Sequence, residues 1–298
     1  MVDPRRQPAA LPDYIVVEIG SYCNRRCAWC PNGWHQRGRR REHMDEAVWR
    51  ALLEDLGAAE YRGGLAFHNY NEPLADPSLY DKIAQVRRLV PDARPTVYSN
   101  GKLLNREVLE RLRQAGAREL RVTRYPQKRR MRAEPEAKVL LELLGALGIA
   151  DDARVEDRER RLVAVSRAGS LKVLVGAPRI RFYTSRGNSV GLEALRAEAA
   201  RDWPCYYPVA SAAIDYHGKL KLCCHIYDTQ QPEAHPYVVG DVSERPFTEL
   251  WSSARMLSLR EQLARADFSG LPLCASCSHR MTDRFLGRIE ARRARAQR

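Results

Sequence analysis

From Ile15 to Gly148 the sequence repeats one unit: a short apolar run, then a longer stretch with apolar residues at helical spacing. Ile15, Val17 and Ile19 open the first run. "MDEAVWRALLEDL" follows, and its Trp49, Leu52, Leu53 and Leu56 fall on one helix face. "GGLAFHNY" with "SLYDKIAQVRRLV", "PTVYSNG" with "NREVLERLRQAG", and "ELRVTRY" with "EPEAKVLLELLGALG" repeat the order. Asn105 is a candidate helix N-cap and Gly116 a candidate helix stop. Strand-then-helix repetition demands crossover connections, hence parallel strands. The fold class is therefore α/β, either a doubly wound sheet or a (β/α) barrel. In a barrel, working residues lie where strands exit into loops. Three polar stretches occupy such exits: "CNRRCAWC" at 23–30, "YNEPL" at 70–74 and "YSNG" at 98–101. They are expected to share one site.

The later chain reads differently. "RLVAVSRAGS" and "PRIRFYTSRGN" are candidate further strands, and "GLEALRAEAARDW" a candidate helix. After about residue 203, "AAIDYHGKLKLCC" alternates around His217-Gly218, which predicts a hairpin. "PFTELWSSARMLSLREQLARA" predicts a helix, and "LPLCASCSHR" leads into a basic tail.

The formal net charge is +13, mostly from arginine. Arg37–Arg41 form one cluster, and Arg280, Arg284, Arg288 and Arg292 form a stripe at four-residue spacing. Both are read as solvated surface that suits an acidic partner; nucleic acid is not expected as a partner. No run of about 20 apolar residues exists to span a membrane, and the N-terminal stretch lacks an apolar signal core. A cytoplasmic location is expected.

Eight cysteines are present. In a reducing compartment their grouping argues for metal or iron–sulfur ligation rather than disulfides. Cys23, Cys27 and Cys30 can hold three irons of a [4Fe–4S] cube and leave the fourth open to a ligand. The alternative is a structural zinc site closed by a fourth ligand such as His35.

The Cys-x₃-Cys-x₂-Cys spacing after the first strand resembles the radical S-adenosylmethionine (SAM) superfamily. That resemblance implies a partial (β/α)6 TIM barrel over residues 12–200. It places Trp29 beside the SAM adenine and Glu72 and Pro73 at the SAM amino group. Asn71 stands where the family has a second glycine. Ser99 and Asn100 match the turn after the third strand, and Thr123 falls where a polar residue meets the ribose. Cys205, Gly218-x₄-Cys223 and Cys274-x₂-Cys277 resemble the SPASM/twitch extension, here residues 201–285, with one auxiliary [4Fe–4S] cluster held by Cys205, Cys223, Cys274 and Cys277. Residues 286–298 are left as a basic helical tail. Cys224 is spare: a hydrogen-atom donor to a substrate radical, or a small buried hairpin residue. Arg124 and Arg167 are substrate-contact candidates because each lies near a strand end; a structural role is the alternative for both.

As the resemblance implies, reduced cluster and SAM yield a 5′-deoxyadenosyl radical that takes hydrogen from an unactivated carbon. The expected substrate is a small polar metabolite, a sugar or aminocyclitol of a natural-product pathway, undergoing oxidation or epimerisation. The expected electron donor is an acidic flavodoxin or ferredoxin. The alternatives are a radical SAM peptide maturase and an iron–sulfur or zinc protein binding nucleic acid.

Overall fold

In this computed structural model the described residues are 10–125, 134–179, 182–186, 189–195 and 199–296. Four strand–helix units come first. They are β1 (Tyr14–Val17), α1 (Glu46–Ala58), β2 (Gly64–Phe67), α2 (Leu79–Leu89), β3 (Arg94–Ser99), α3 (Arg106–Gln114), β4 (Glu119–Thr123) and α4 (Ala137–Ala146). Next come β5 (Arg154–Arg158), β6 (Arg161–Ala168) and β7 (Leu171–Pro178). The C-terminal part supplies α5 (Tyr207–Ala210), β8 (Ser211–Ile214), β9 (Lys219–Lys221), β10 (Val238–Asp241), α6 (Phe247–Trp251), α7 (Ala254–Ala264), α8 (Pro272–Ala275) and α9 (Asp283–Ala296).

All ten strands join one sheet in the order β10-β9-β8-β1-β2-β3-β4-β7-β6-β5. Its centre, β8-β1-β2-β3-β4-β7, is parallel throughout. These are the six parallel strands expected of the partial barrel, but the sixth is β8, delivered by the C-terminal part. Both flanks are antiparallel: β7-β6-β5 on one side and β8-β9-β10 on the other.

Strand alternation divides the side chains. Ile15, Val17, Leu65, Phe67, Val97, Leu120 and Val122 point outward and pack under the helices with Trp49, Leu52, Leu53 and Leu56 of α1. Tyr14, Thr96, Tyr98, Glu119 and Arg121 line the inner lumen instead. The helices start as the sequence predicts. Asp45 accepts from Ala47 N at 2.7 Å to open α1, and Asn105 accepts from Val108 N at 2.8 Å to open α3.

Some expectations change. "PFTELWSSARMLSLREQLARA" is two helices, α6 and α7, because the Ser253 side chain accepts from Met256 N and starts a new helix. "PRIRFYTSRGN" is not a further strand: Pro178 ends β7, no later described residue of the stretch is in a strand, and residues 180–181 and 187–188 lie outside the described residues. The expected helix after Gly191 is a single 3-10 turn, Glu193–Leu195, with 196–198 outside the described residues. The tail does not stand free. Phe285 of α9 stacks on Tyr207 at 6.3 Å and 9°, and Ile289 is buried. Among the described residues no helix is long and apolar enough to cross a membrane.

Candidate functional site

The cysteine loop leaves β1 at Glu18 and folds back on itself. Cys30 N donates to Cys27 O at 3.0 Å, Gly33 N to Cys30 O at 2.9 Å, and Cys23 N to Gly38 O at 3.1 Å. A Cβ at Gly33 would lie 2.3 Å from Cys27 O, so only glycine permits this approach. Asn32 ties the loop to its neighbours: its Nδ2 donates to Tyr70 O at 2.5 Å and its Oδ1 accepts from the Tyr227 hydroxyl at 2.8 Å.

A buried ion cluster fixes the loop's base. Glu18 pairs with Arg37 at 2.7 Å and with Lys221 at 3.3 Å, and accepts from Tyr70 N at 2.9 Å. All three charged side chains are buried. Burial alone would raise the Glu18 pKa; the Arg37 and Lys221 charges outweigh it and hold it below its ordinary value. Arg37 therefore does not belong to a solvated cluster as expected. It locks the cysteine loop, the "YNEPL" turn and β9 together.

Cys23, Cys27 and Cys30 line a cavity of ≈ 300 Å³ together with Trp29, Asn71, Glu72, Ser99, Asn100 and Thr123. Glu72 accepts from Asn100 N at 2.8 Å and Leu74 N at 3.2 Å, which aims its carboxylate. Burial raises its pKa, opposed by the Asn100 and Ser99 bonds. Such a carboxylate gains from an incoming ammonium. Pro73 opens the short turn that follows. Trp29 packs against Tyr125 and Tyr183, with centroids 5.6 and 6.4 Å away.

The opposite wall comes from the C-terminal part, through Cys224 and His225. The Cys224 sulfur accepts from the Tyr207 hydroxyl at 3.2 Å. Burial pushes the Cys223 thiol up, and its neighbours Cys224, Cys274, Cys277 and Cys205 push it further, so the four C-terminal cysteines lie near one another with Cys224 beside them. Cys277 N donates to Cys274 O at 3.1 Å, closing the knuckle, and the Tyr237 hydroxyl accepts from Leu273 N at 2.7 Å to pin it. His225 N donates to Cys223 Sγ at 3.4 Å.

Arg124 and Arg167 do not reach the cavity. Inward parity belongs to Thr123 and Tyr125, so Arg124 between them points out to solvent. Arg167 does end a strand, but β6 runs antiparallel, and Arg167 lies opposite Lys172 at the far end of the sheet. Two arginines that sequence reasoning passed over lie nearer, Arg186 at the cavity and Arg201 at the second group of cysteines. Arg186 lines the cavity, with Nη1 3.4 Å from the Tyr70 hydroxyl. Its φ of +51° is a left-handed conformation rare outside glycine. Arg201 is buried beside Cys205 and Cys277 and donates to Trp203 O and Pro204 O, each at 2.8 Å.

The residues fit iron–sulfur clusters and SAM. Every cysteine is free of disulfide pairing. Burial pushes the Cys23 thiol up to about 11 and Cys274 up to about 12. Such thiols resist ionisation unless a cation takes the proton's place. Among the described residues no three His, Cys, Asp or Glu side chains converge on a single-ion site. On the SAM side, the Trp29 indole N–H and both Asn71 amide atoms are buried without a partner. A polar ligand in the cavity would satisfy them.

The radical SAM superfamily matches residues 17–125, and the SPASM iron–sulfur cluster-binding domain matches residues 205–278. The S-adenosyl-L-methionine-dependent 2-deoxy-scyllo-inosamine dehydrogenase of Niallia circulans is 25% identical over 266 residues, covering 89% of this chain and 92% of that protein. The crystal structure of BtrN with AdoMet and 2-DOIA superposes with a TM-score of 0.68 at 22% identity, covering 91% of this chain and 94% of BtrN. An open conformation of BtrN gives 0.59 at 21% identity with the same coverage. At these identities the structural likeness establishes the fold. The two domain matches bring SAM, the [4Fe–4S] cluster that binds it and an auxiliary cluster as cofactors. The chain is a radical SAM protein whose C-terminal part is a SPASM-type iron–sulfur cluster-binding domain.

Proposed function

We propose that this chain is a radical SAM dehydrogenase that oxidises an alcohol carbon of a small polyol, a sugar or cyclitol, to a ketone. One observation carries the reading. A single cavity is lined by Cys23, Cys27 and Cys30 of the first loop and by Cys224 and His225, the two residues that follow Cys223, so a small molecule there touches the first cluster site and lies beside the second. The similarity to a 2-deoxy-scyllo-inosamine dehydrogenase supports a small metabolite over a peptide.

In this reading Cys23, Cys27 and Cys30 hold the SAM-binding cluster, and Cys205, Cys223, Cys274 and Cys277 hold the auxiliary one. When bound, these groups and SAM would supply a radical that removes the carbinol hydrogen atom and an acceptor for the second electron, and the hydroxyl proton would pass to a base or water in the chamber. The chain does the rest. Glu72 holds the SAM ammonium, Asn71 and the Trp29 indole N–H take its polar atoms, and Ser99, Asn100 and Thr123 line the same pocket. Tyr70, Tyr125 and Tyr183 wall the chamber and limit water. Burial works against the charge of Arg186, but Tyr70 and Cys30 raise its pKa and keep it a cation. It therefore donates hydrogen bonds to a substrate oxygen and takes no proton. Cys224, bonded to Tyr207, faces the chamber but is not needed as a hydrogen donor for oxidation. The reducing electron comes from an acidic flavodoxin or ferredoxin attracted by the positive surface.

The test is anaerobic turnover of the reconstituted protein with SAM, a reductant and candidate polyols. Equal yields of 5′-deoxyadenosine and ketone are expected. Absence of 5′-deoxyadenosine under any condition refutes the reading.

A further inference from the structure

The lumen of this barrel is open, where barrel interiors are ordinarily filled by layers of branched apolar side chains. A cavity of ≈ 1130 Å³ runs inside the sheet from the N-terminal strand ends. It shares His68, Tyr98 and Arg161 with the cofactor chamber, so the two spaces abut. Its wall carries eight basic and three acidic side chains. Two of the acids are already engaged: Glu119 by Arg121 and, at 3.8 Å, by Lys172, and Glu60 by Arg62 at 3.8 Å. Arg118, Arg161 and Arg167 have no acidic partner among the described residues.

These cations are spread along a path. Arg167 sits opposite Lys172 where β7 begins, and Arg161 sits opposite Pro178 where β7 ends at the chamber. They are six residue steps apart along β6, about 20 Å. One anion cannot touch both, but it can pass from one to the other. A cavity whose charge is predominantly of one sign concentrates ligands of the other sign. Guanidinium groups match the planar or tripodal oxygens of carboxylates and phosphates. A substrate bearing only an ammonium would be repelled along the same path.

We propose that the lumen is the entry and binding channel for an anionic substrate, a polyol carrying a phosphate or carboxylate group. Arg118 and Arg167 draw it in at the mouth. Arg161 holds its oxyanion at the junction, with the neutral end of the ring towards the chamber. This rests on the small-metabolite reading above and narrows its substrate class.

The test is anaerobic titration calorimetry of the reconstituted protein with SAM bound, using glucose 6-phosphate, glucuronate, glucose and glucosamine as probes on one ring. At least one anion is expected to bind about tenfold or more tighter than glucose or glucosamine, the gain of one charge-assisted hydrogen bond. Tighter glucose 6-phosphate assigns a phosphoryl group, and tighter glucuronate a carboxylate. Arg161→Gln is expected to remove that preference about tenfold, and Arg118→Gln with Arg167→Gln to flatten its salt dependence. Absorbance of the clusters checks that each variant is folded. Glucose or glucosamine binding as tightly as the anions, no anion binding at all, or unchanged anion binding in both variants overturns the proposal. Formation of 5′-deoxyadenosine without substrate tests separately the SAM cleavage on which the dehydrogenase reading depends, since it does not require the lumen arginines.

Discussion

Replacing Glu18 by glutamine keeps the shape of the side chain and removes its charge. Arg37 and Lys221 then remain buried without their shared carboxylate, and only the charge of Asp215 still favours Arg37. Removing one partner of a buried ion pair costs about 3–5 kcal/mol. The glutamine can still accept from Tyr70 N, so the lower part of that range is expected. For a chain of 298 residues, an unfolding entropy of about 2.1 cal/mol/K per residue gives about 0.6 kcal/mol per degree. The melting temperature should therefore fall by about 5–8 °C, with the larger figure matching the full loss. Anaerobic scanning calorimetry of the reconstituted protein measures it. The pH dependence follows from the direction of the Glu18 shift. Its folded pKa is lowered, so its contribution is fully present above the unfolded value of about 4.3 and is lost as pH falls through the folded one. The gap between wild type and Glu18→Gln should stay constant from neutral pH down to about 5 and close only below. Adding Lys221→Met to Glu18→Gln removes one of the two stranded cations and should recover part of the loss. A fall of less than about 1 °C, or a gap that closes above pH 6, would refute the claim that this cluster is a buried, charged unit.

Glu72→Gln is expected to weaken SAM binding about tenfold to a hundredfold, the loss of one charged hydrogen bond, with the cluster spectrum unchanged; equilibrium dialysis of the anaerobic protein reads it. Cys223→Ala should lose about four irons per chain, whereas Cys224→Ala should keep its iron and still form ketone. Metal analysis beside product analysis separates the two. Equal iron loss in both variants would make Cys224 a ligand. Asn105→Ala removes the cap of α3 and is expected to cost about 1 kcal/mol, or about 1–2 °C, with no change in SAM cleavage.

What could be read from the sequence was what repeats or binds locally. The β/α alternation is a burial pattern, and burial decides the sheet, so the strand–helix units from Ile15 to Ala146 stand where the apolar periods put them. Ligand spacing is local too, and the cysteine groups come together at two places. Long-range charge pairing left no such trace. Arg37 sits in "RGRRR", which reads as solvated surface, and only the fold brings Glu18 and Lys221 to it. The hairpin β5–β6 was hidden for the opposite reason: "RVEDRERR" is charged, as suits an exposed edge strand that must not pair with another molecule. Because that hairpin reverses direction, Arg167 went to the wrong end of the sheet. Arg124 could have been rejected from sequence, since a strand that turns Thr123 inward must turn Arg124 outward. Arg186 gave no signal, lying in irregular chain whose path is set by tertiary contacts.

The division at residue 200 into barrel and extension is a division of sequence and not of physics. β8 pairs with β1 in register, Tyr14 to Ser211 through Val17 to Ile214, so the extension completes the parallel sheet. Without it β1 would present an open edge. The Thr248 hydroxyl and N–H both donate to Asp55, at 2.8 and 2.9 Å, fastening α6 to α1. Lys221 reaches back to Glu18 at the root of the cysteine loop. The Tyr70 hydroxyl donates to His225 O at 3.0 Å, joining the SAM turn to the corner beside Cys223. Each link ties the C-terminal part to the first strand–helix units, and the last two lie at the cofactor sites themselves. The separation of those sites is therefore set by sheet hydrogen bonds and buried ions, the least compliant contacts available. An enzyme that must hold one small substrate within reach of two clusters needs that rigidity, and this chain obtains it by building both sites from one sheet.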